Sequence, residues 1–323
     1  MHRYPPPLRT LDAKRSKLAS ARASMELRVH AYPTGVGRTV YRALMLGVVG
    51  TLAIATPTNP IFAERVPAEL QLALQLKRQG KFTEALAQAE QARASAPQHS
   101  EPYYVAGSIQ RRLGHFDAAL ENFEQAVALS PEDNRYQAAL GAALIRLERY
   151  APAIPHLRVA LTHNPRDIVS MSNLGTALSR LGRFEEAKQI FENGLKSAPF
   201  HPLLLNNLAV THRKSGAPEN AVTLLEEALK QRPKEAYIWE NLGVAHRAMR
   251  NYAKAAQAFE RALTLPNVKA QTRYELALCY EALGENEKAT HWLRAHIKAT
   301  RPTGAEREAL DRRLSTLEAQ IHP

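Results

Sequence analysis

The chain is 323 residues long and carries 43 Lys and Arg against 31 Asp and Glu, a formal net charge of +12. Nine of those basic and two of the acidic residues precede Glu64, so the remainder is only mildly basic and its charge does not by itself imply nucleic acid. One cysteine, Cys279, excludes an intramolecular disulfide and a multi-cysteine zinc site, and a composition 45% hydrophobic and 23% charged excludes a chain disordered throughout.

Residues 1–42 hold all nine of those cations, with Pro5, Pro6 and Pro7 and almost no hydrophobic periodicity, and are expected to be a basic disordered segment. Residues 43–63 read as a signal peptide or a membrane anchor. The run from Ala43 to Ala55 has 13 uncharged residues. That is short of the roughly 20 needed to span a bilayer and suits the apolar region of a signal peptide. Pro57 and Pro60 precede the small Ala63, the preferred cleavage point, with Ala55 as second choice. Taking the apolar segment from Tyr41 to Ala63, about 23 residues, gives instead an uncleaved anchor. In both readings the positive flank stays cytoplasmic and the rest of the chain crosses the membrane. The tail upstream is long for a signal, and Met25 offers an alternative start to Met1.

From Val66 the sequence repeats without a gap in seven blocks of equal length, 66–99, 100–133, 134–167, 168–201, 202–235, 236–269 and 270–303. Column 20 is alanine in all seven: Ala85, Ala119, Ala153, Ala187, Ala221, Ala255 and Ala289. Column 8 holds Ala73, Gly107, Gly141, Gly175, Ala209, Gly243 and Ala277. Only small residues in both columns predict helices that cross too closely for a larger side chain. Column 7, from Leu72 to Leu276, and column 24, with Phe123, Leu157, Phe191, Leu225 and Phe259, supply the bulky residues expected to fill the space beside them. Pro97, Pro131, Pro165, Pro199 and Pro233 end the second helix of the first five blocks.

These columns resemble the tetratricopeptide repeat. The resemblance implies an all-α fold, a right-handed superhelical solenoid of seven helix-turn-helix repeats over 64–303, with about fifteen helices and no sheet. It also implies that the first helix of each repeat faces a concave surface where extended peptides bind. Block six carries the fullest set, including Trp239, Tyr252 and Phe259. Block seven departs most, with Asn286 at the turn aromatic and His296 at the late alanine. Residues 304–321 are expected to form a capping helix, opened by a Thr303–Glu306 capping box and carrying Leu310, Leu314, Leu317 and Ile321 on one face.

Repeats and cap occupy nearly everything after Ala63, and no phosphate-binding loop, zinc-protease motif or nucleophile elbow occurs. The expectation is a non-enzymatic protein with no cofactor and no metal. His212 and His246 share column 11, and packing with one satisfied ring nitrogen is favoured over metal binding because no third ligand recurs with them. Cys279 reads as a small core residue.

Two features mark a candidate peptide-binding surface. Column 6 holds Asn173, Asn207 and Asn241, whose carboxamides could clamp an extended backbone, the alternative being local structural support. Columns 12 and 13 hold Lys77, Arg78, Arg111, Arg112, Arg146, Arg180, Arg213, Lys214 and Arg247, a cation or pair in each of the first six blocks, while block seven has Glu281 and Ala282. Stacked, they make a positive stripe that attracts acidic partners; the competing reading is capping of the negative helix end. The stripe differs from the carboxylate clamp of some family members, because Ala138, Ala142, Ser172 and Thr176 stand in its columns. The expected function is a scaffold or assembly factor outside the cytoplasmic membrane that binds an extended acidic segment of a protein partner. The resemblance allows that partner to belong to a membrane complex under assembly. The alternative is polyanion or nucleic-acid binding. Export argues against it, as does the scarcity of groove aromatics beyond Tyr104, Tyr237 and Tyr274.

Overall fold

A computed structural model of the chain describes residues 67–321, which lie in the compact unit Arg65–Pro323. The basic segment, the apolar leader and its cleavage points fall outside the described residues. Among the described residues there are fifteen helices and no strand. The first helices of the seven blocks are α1 (Ala68–Arg78), α3 (Ser100–Leu113), α5 (Asn134–Arg146), α7 (Ile168–Arg180), α9 (Pro202–Lys214), α11 (Ala236–Ala248) and α13 (Gln271–Ala282). The second helices are α2 (Phe82–Ser95), α4 (Phe116–Leu129), α6 (Tyr150–His163), α8 (Phe184–Ser197), α10 (Pro218–Gln231), α12 (Tyr252–Leu263) and α14 (Asn286–Thr300). The cap is α15 (Gly304–Ile321), whose first residue follows Thr303 directly.

Every helix packs on the next, and the first helices also touch their counterparts in the following repeat. The first helices therefore line the closer, inner side of the array and the second helices its outer side.

Within each repeat the small column 8 faces column 24. A Cβ on Gly175 would stand 2.4 Å from Phe191 Cζ, on Gly141 2.5 Å from Leu157 Cγ and on Gly243 2.6 Å from Phe259 Cε1, each far inside van der Waals contact. The alanines of column 20 are all buried at the same crossings. Leu72 departs from expectation: instead of packing like the rest of column 7 it is 43% exposed. It sits on α1, against which no earlier repeat packs among the described residues. At the other end Leu310 and Leu317 are buried against the last repeat, as the capping pattern predicts.

The turn between the two helices is the same in all seven repeats. The residue in column 15 takes a left-handed conformation: Gly80, Gly114, Gly182, Gly216 and Gly284, but also Glu148 with φ 57° and Arg250 with φ 59°. The amide after it reaches back along the helix, for example His115 N to Gln110 O at 2.9 Å and Arg183 N to Leu178 O at 2.9 Å. That bond satisfies a carbonyl left open by the helix end and reverses the chain, the Schellman arrangement.

Gly175→Ala is expected to destabilise the fold by about 1–3 kcal/mol, because Phe191 is fully buried and cannot retreat. Ala187→Leu should cost a similar amount, with lost amide protection confined to neighbouring repeats. Glu148→Gly should instead stabilise by about 1 kcal/mol, through relief of the left-handed strain. Urea unfolding of the three variants checks all three directions.

Candidate functional site

The inner face is made by the sides of the first helices. On a helix of 3.6 residues per turn, columns 2, 6, 9 and 13 fall within about 60° of one another, with columns 5 and 12 beside them. The fourth repeat presents Val169, Asn173, Thr176 and Arg180 along that face, and the fifth Leu203, Asn207, Val210 and Lys214.

The column 6 asparagines are half-buried and two of them are already engaged. Asn207 Nδ2 donates to Ser172 Oγ at 2.8 Å, and Asn241 Nδ2 donates to Asn206 Oδ1 at 2.7 Å. Asn206 Nδ2 donates in turn to Asn207 Oδ1 at 3.1 Å. The ladder thus stitches the fifth repeat to the fourth and the sixth to the fifth, which orients the carboxamides of Asn207 and Asn241. Among the described residues no hydrogen bond within the chain engages Asn173, and none engages Asn241 Oδ1.

The cations divide into three groups. Arg112, Arg146 and Arg180 lie over the turn aromatics of the preceding repeats, with Arg112 5.6 Å from the Phe82 ring centre, Arg146 4.6 Å from Phe116 and Arg180 6.0 Å from Tyr150. Such contacts contribute about 0.5–1 kcal/mol each at exposed sites and join neighbouring repeats. A second group is paired: Lys77 Nζ donates to Ser108 Oγ at 2.6 Å, and Arg247 Nε lies 2.8 Å from Glu275 Oε2. In the seventh repeat Glu281 replaces the cation and is itself neutralised by Arg313 of α15, at 2.6 Å. Arg78, Arg111, Arg213 and Lys214 form the third group, with no carboxylate partner among the described residues. Burial, with Arg247 close by, lowers the pKa of Arg213, and burial, with Arg180 and Arg213 close by, lowers that of Lys214. Burial, with Arg111 close by, likewise lowers the pKa of Lys77, so the positive stripe is crowded at the first two repeats as well as in the fourth to sixth.

At the start of the second and third repeats the charges satisfy each other instead. Arg135 pairs with Asp133 at 2.8 Å and with Glu101 at 3.0 Å, and Tyr136 donates to Glu101 Oε2 at 2.6 Å. Of the groove tyrosines, Tyr104 packs on Phe123 and Tyr136, and Tyr274 on His296, so both serve the core. Glu240 is a buried carboxylate that sequence reasoning missed. It accepts from Lys269 N at 2.8 Å and from Thr272 Oγ1, and so fastens the irregular link before α13. Its column is apolar or neutral in the other repeats, which is the signal that could have found it.

His212 and His246 pack into the array as expected, and the Nδ1 of each is buried with no partner among the described residues. No group of three or more His, Cys, Asp or Glu side chains among the described residues is placed to hold a metal ion. Cys279 is buried in the core, which pushes its thiol pKa up to about 11.

Two family models, both described as tetratricopeptide repeat, match the chain, one at 104–168, 211–271 and 240–305 and the other at 65–132 and 166–234. The chain belongs to the tetratricopeptide repeat family. No curated protein matches its sequence. Among solved structures, this tetratricopeptide repeat protein is similar to one from Parabacteroides merdae, with a TM-score of 0.63 and 17% identity over 77% of this chain and 97% of that one. It is similar also to a chain of the APC/C hetero-tetramer Cut9–Hcn1, with a TM-score of 0.61 and 19% identity over 76% of this chain and 48% of that one. YrrB, described as a tetratricopeptide repeat protein with an unusual peptide-binding site, gives a TM-score of 0.50 and 24% identity over 55% of this chain and 92% of its own. At these identities the likeness is one of fold. Tetratricopeptide repeats are protein-interaction modules, so the fold is that of a protein-interaction scaffold.

Burial holds the pKa of three histidines below the usual range: His156, His212 with Lys188 nearby, and His246 with Lys254 nearby. Glu124, Glu192 and Glu226 oppose the shifts without reversing them. The unfolded imidazole titrates near its ordinary 6.5, so the contribution is complete above that pH and is lost as pH falls through the lower folded values. The urea midpoint should therefore drop between pH 7.5 and pH 5, and His212→Gln with His246→Gln should flatten that drop.

Proposed function

We propose that this protein is an exported scaffold or assembly factor whose inner groove holds an extended acidic segment of a partner protein. The observation that carries the reading is the group of cations left without a carboxylate or a ring on the inner face, Arg78, Arg111, Arg213 and Lys214, while the remaining cations of the two columns are paired or stacked. Positive groups crowded together gain from an incoming carboxylate twice, by direct attraction and by relief of mutual repulsion. The peptide-binding site named for YrrB, a protein of the same fold, is consistent with that use of the groove. Location outside the cytoplasmic membrane rests on the apolar leader with its basic flank; among the described residues no helix is long and apolar enough to cross a membrane. A partner belonging to a membrane complex under assembly fits that location.

Crosslinked capture with the tagged full-length chain, from membrane and periplasmic fractions, should recover partners that share an acidic segment. Against such a partner, Arg213→Gln with Lys214→Gln should slow association several-fold at low salt and match the unaltered chain at high salt, since screening removes long-range attraction. Asn173→Ala should speed dissociation at every salt concentration, because its contacts are short and directional. Equal kinetics for all three proteins would place the partner elsewhere on the molecule. Mass spectrometry of the exported pool should find a mature chain that starts near Glu64; peptides from upstream of Ala55 would refute cleavage there.

A further inference from the structure

Along the inner face of the fourth to sixth repeats the columns separate by chemistry into three lanes. Column 2, at the beginnings of the first helices, holds Val169, Leu203 and Tyr237. Val169 is 61% exposed, and Phe200, in the loop that leads into α9, is 59% exposed. These are the two most exposed large apolar side chains among the described residues. Column 6 holds the three asparagines. Columns 12 and 13, at the far ends of the same helices, hold Arg180, Arg213, Lys214 and Arg247. At a rise of about 1.5 Å per residue, the apolar and cationic lanes lie about 16 Å apart, with the asparagines between them.

The first three repeats lack this arrangement. Column 2 there holds Pro67, Glu101 and Arg135, of which the last two neutralise each other, and column 6 holds Gln71, Val105 and Ala139. The seventh repeat has Gln271 and Glu275 in the same places, with Glu275 paired to Arg247. The cationic lane runs through the first six repeats, but all three lanes coincide only in the fourth to sixth.

We propose that the groove of the fourth to sixth repeats takes an extended partner segment in which acidic and bulky apolar side chains alternate, the acidic ones turned to Arg213 and Lys214 and the apolar ones to Val169 and Phe200. An extended chain points successive side chains to opposite sides, so a strand that runs along the asparagine lane delivers its odd residues to one lane and its even residues to the other. The asparagines then meet its backbone. Asn173 and the Oδ1 of Asn241 are unengaged within the described residues, while the bonds of Asn207 and Asn241 to the preceding repeats hold the carboxamides in place. Charge complementarity chooses the acidic side: no carboxylate of the described residues pairs with Arg213 or Lys214, and burial, with other cations close by, lowers the pKa of each, Glu275 opposing the shift of Arg213 without reversing it. Apolar side chains left in water in the opposite lane choose the other side. A plain polyanion would satisfy one lane only. This inference rests on the acidic-segment reading and adds alternation, location and direction to it.

The test uses the full-length chain and fluorescently labelled twelve-residue peptides followed by anisotropy. The probes are a peptide of alternating Glu and Val, one of alternating Glu and Gly, one of six Glu followed by six Val, and one of alternating Lys and Val. Alternating Glu–Val should bind about tenfold more tightly than the other two acidic peptides, and Lys–Val should not bind. Val169→Ser with Phe200→Ser should weaken Glu–Val about fivefold and leave Glu–Gly unchanged, while Arg213→Gln with Lys214→Gln should weaken both. Both pairs of positions lie at the surface or half-buried, and circular dichroism should match the unaltered chain; Leu203→Ser gives an independent second test of the apolar lane. If Glu–Gly or the block peptide binds as tightly as Glu–Val, or the serine variants bind Glu–Val unchanged, the alternating-lane inference fails and the acidic-segment reading stands. If no acidic peptide binds, or the Arg213 and Lys214 variant binds all of them unchanged, that reading fails and takes the inference with it. Displacement of Glu–Val by a twelve-nucleotide single-stranded DNA at equal or lower concentration would also overturn the inference, in favour of a polyanion site.

Discussion

The close approach of the two helices inside each repeat is the constraint that sets the geometry of the whole array. A glycine or alanine in column 8 opposite a phenylalanine or leucine in column 24 lets the backbones come near enough for one ring to fill the space between them, as Gly175 and Phe191 do. With no Cβ in the way, the second helix lies down on the first at one distance. Since the same pairing recurs from the second block to the seventh, with Ala89 in place of the bulky residue in the first, each of these repeats hands the next an equivalent surface. The left-handed residue in column 15 then reverses the chain in the same way each time. Where glycine is missing from that column, at Glu148 and Arg250, the repeat still imposes the conformation, which shows that packing outweighs the local backbone preference.

Regular stacking leaves the sides of the first helices on the inner face, and residues there are free to differ. Much of that freedom is spent on joining repeats. Arginines lie over the turn aromatics of the repeat before, asparagines donate to it, and Arg135 knots the second repeat to the third through Glu101. These contacts are individually small, but a one-dimensional array depends on every junction, so each has a role in keeping the repeats cooperative. A charge on the inner face is therefore not by itself a binding residue.

What distinguishes the fourth to sixth repeats is that unpaired cations there share the inner face with an asparagine column and exposed apolar side chains. Arg213 and Lys214 crowd other cations, and Val169 and Phe200 stand in water. Unsatisfied groups of two kinds on the two edges of one groove are a requirement for two-sided recognition. The seventh repeat marks the end of this region, because its acidic column is answered from α15 by Arg313.

Repeat length, register and helix count are legible in the order of amino acids alone. Steric exclusion at a helix crossing admits only two residue types, and two residue types at a fixed spacing are visible in a bare string of letters. The capping helix is legible in the same way, from its spacing of leucines. The exposure of Leu72 is not, because column 7 is buried only where another repeat precedes it. Nor is it legible which of the column 12 and 13 cations are free, since Arg112, Arg146 and Arg213 look alike in sequence. Folding assigns the first two to aromatic rings of the preceding repeats and leaves the third without a carboxylate. The same holds for the asparagines, whose amide donors are taken by side chains of the preceding repeat in Asn207 and Asn241 and not in Asn173. Packing by size is written once per residue and survives in a list. Pairing by charge and hydrogen bond depends on which neighbour the fold brings within about 3 to 4 Å, and that distance exists only after the repeats have stacked.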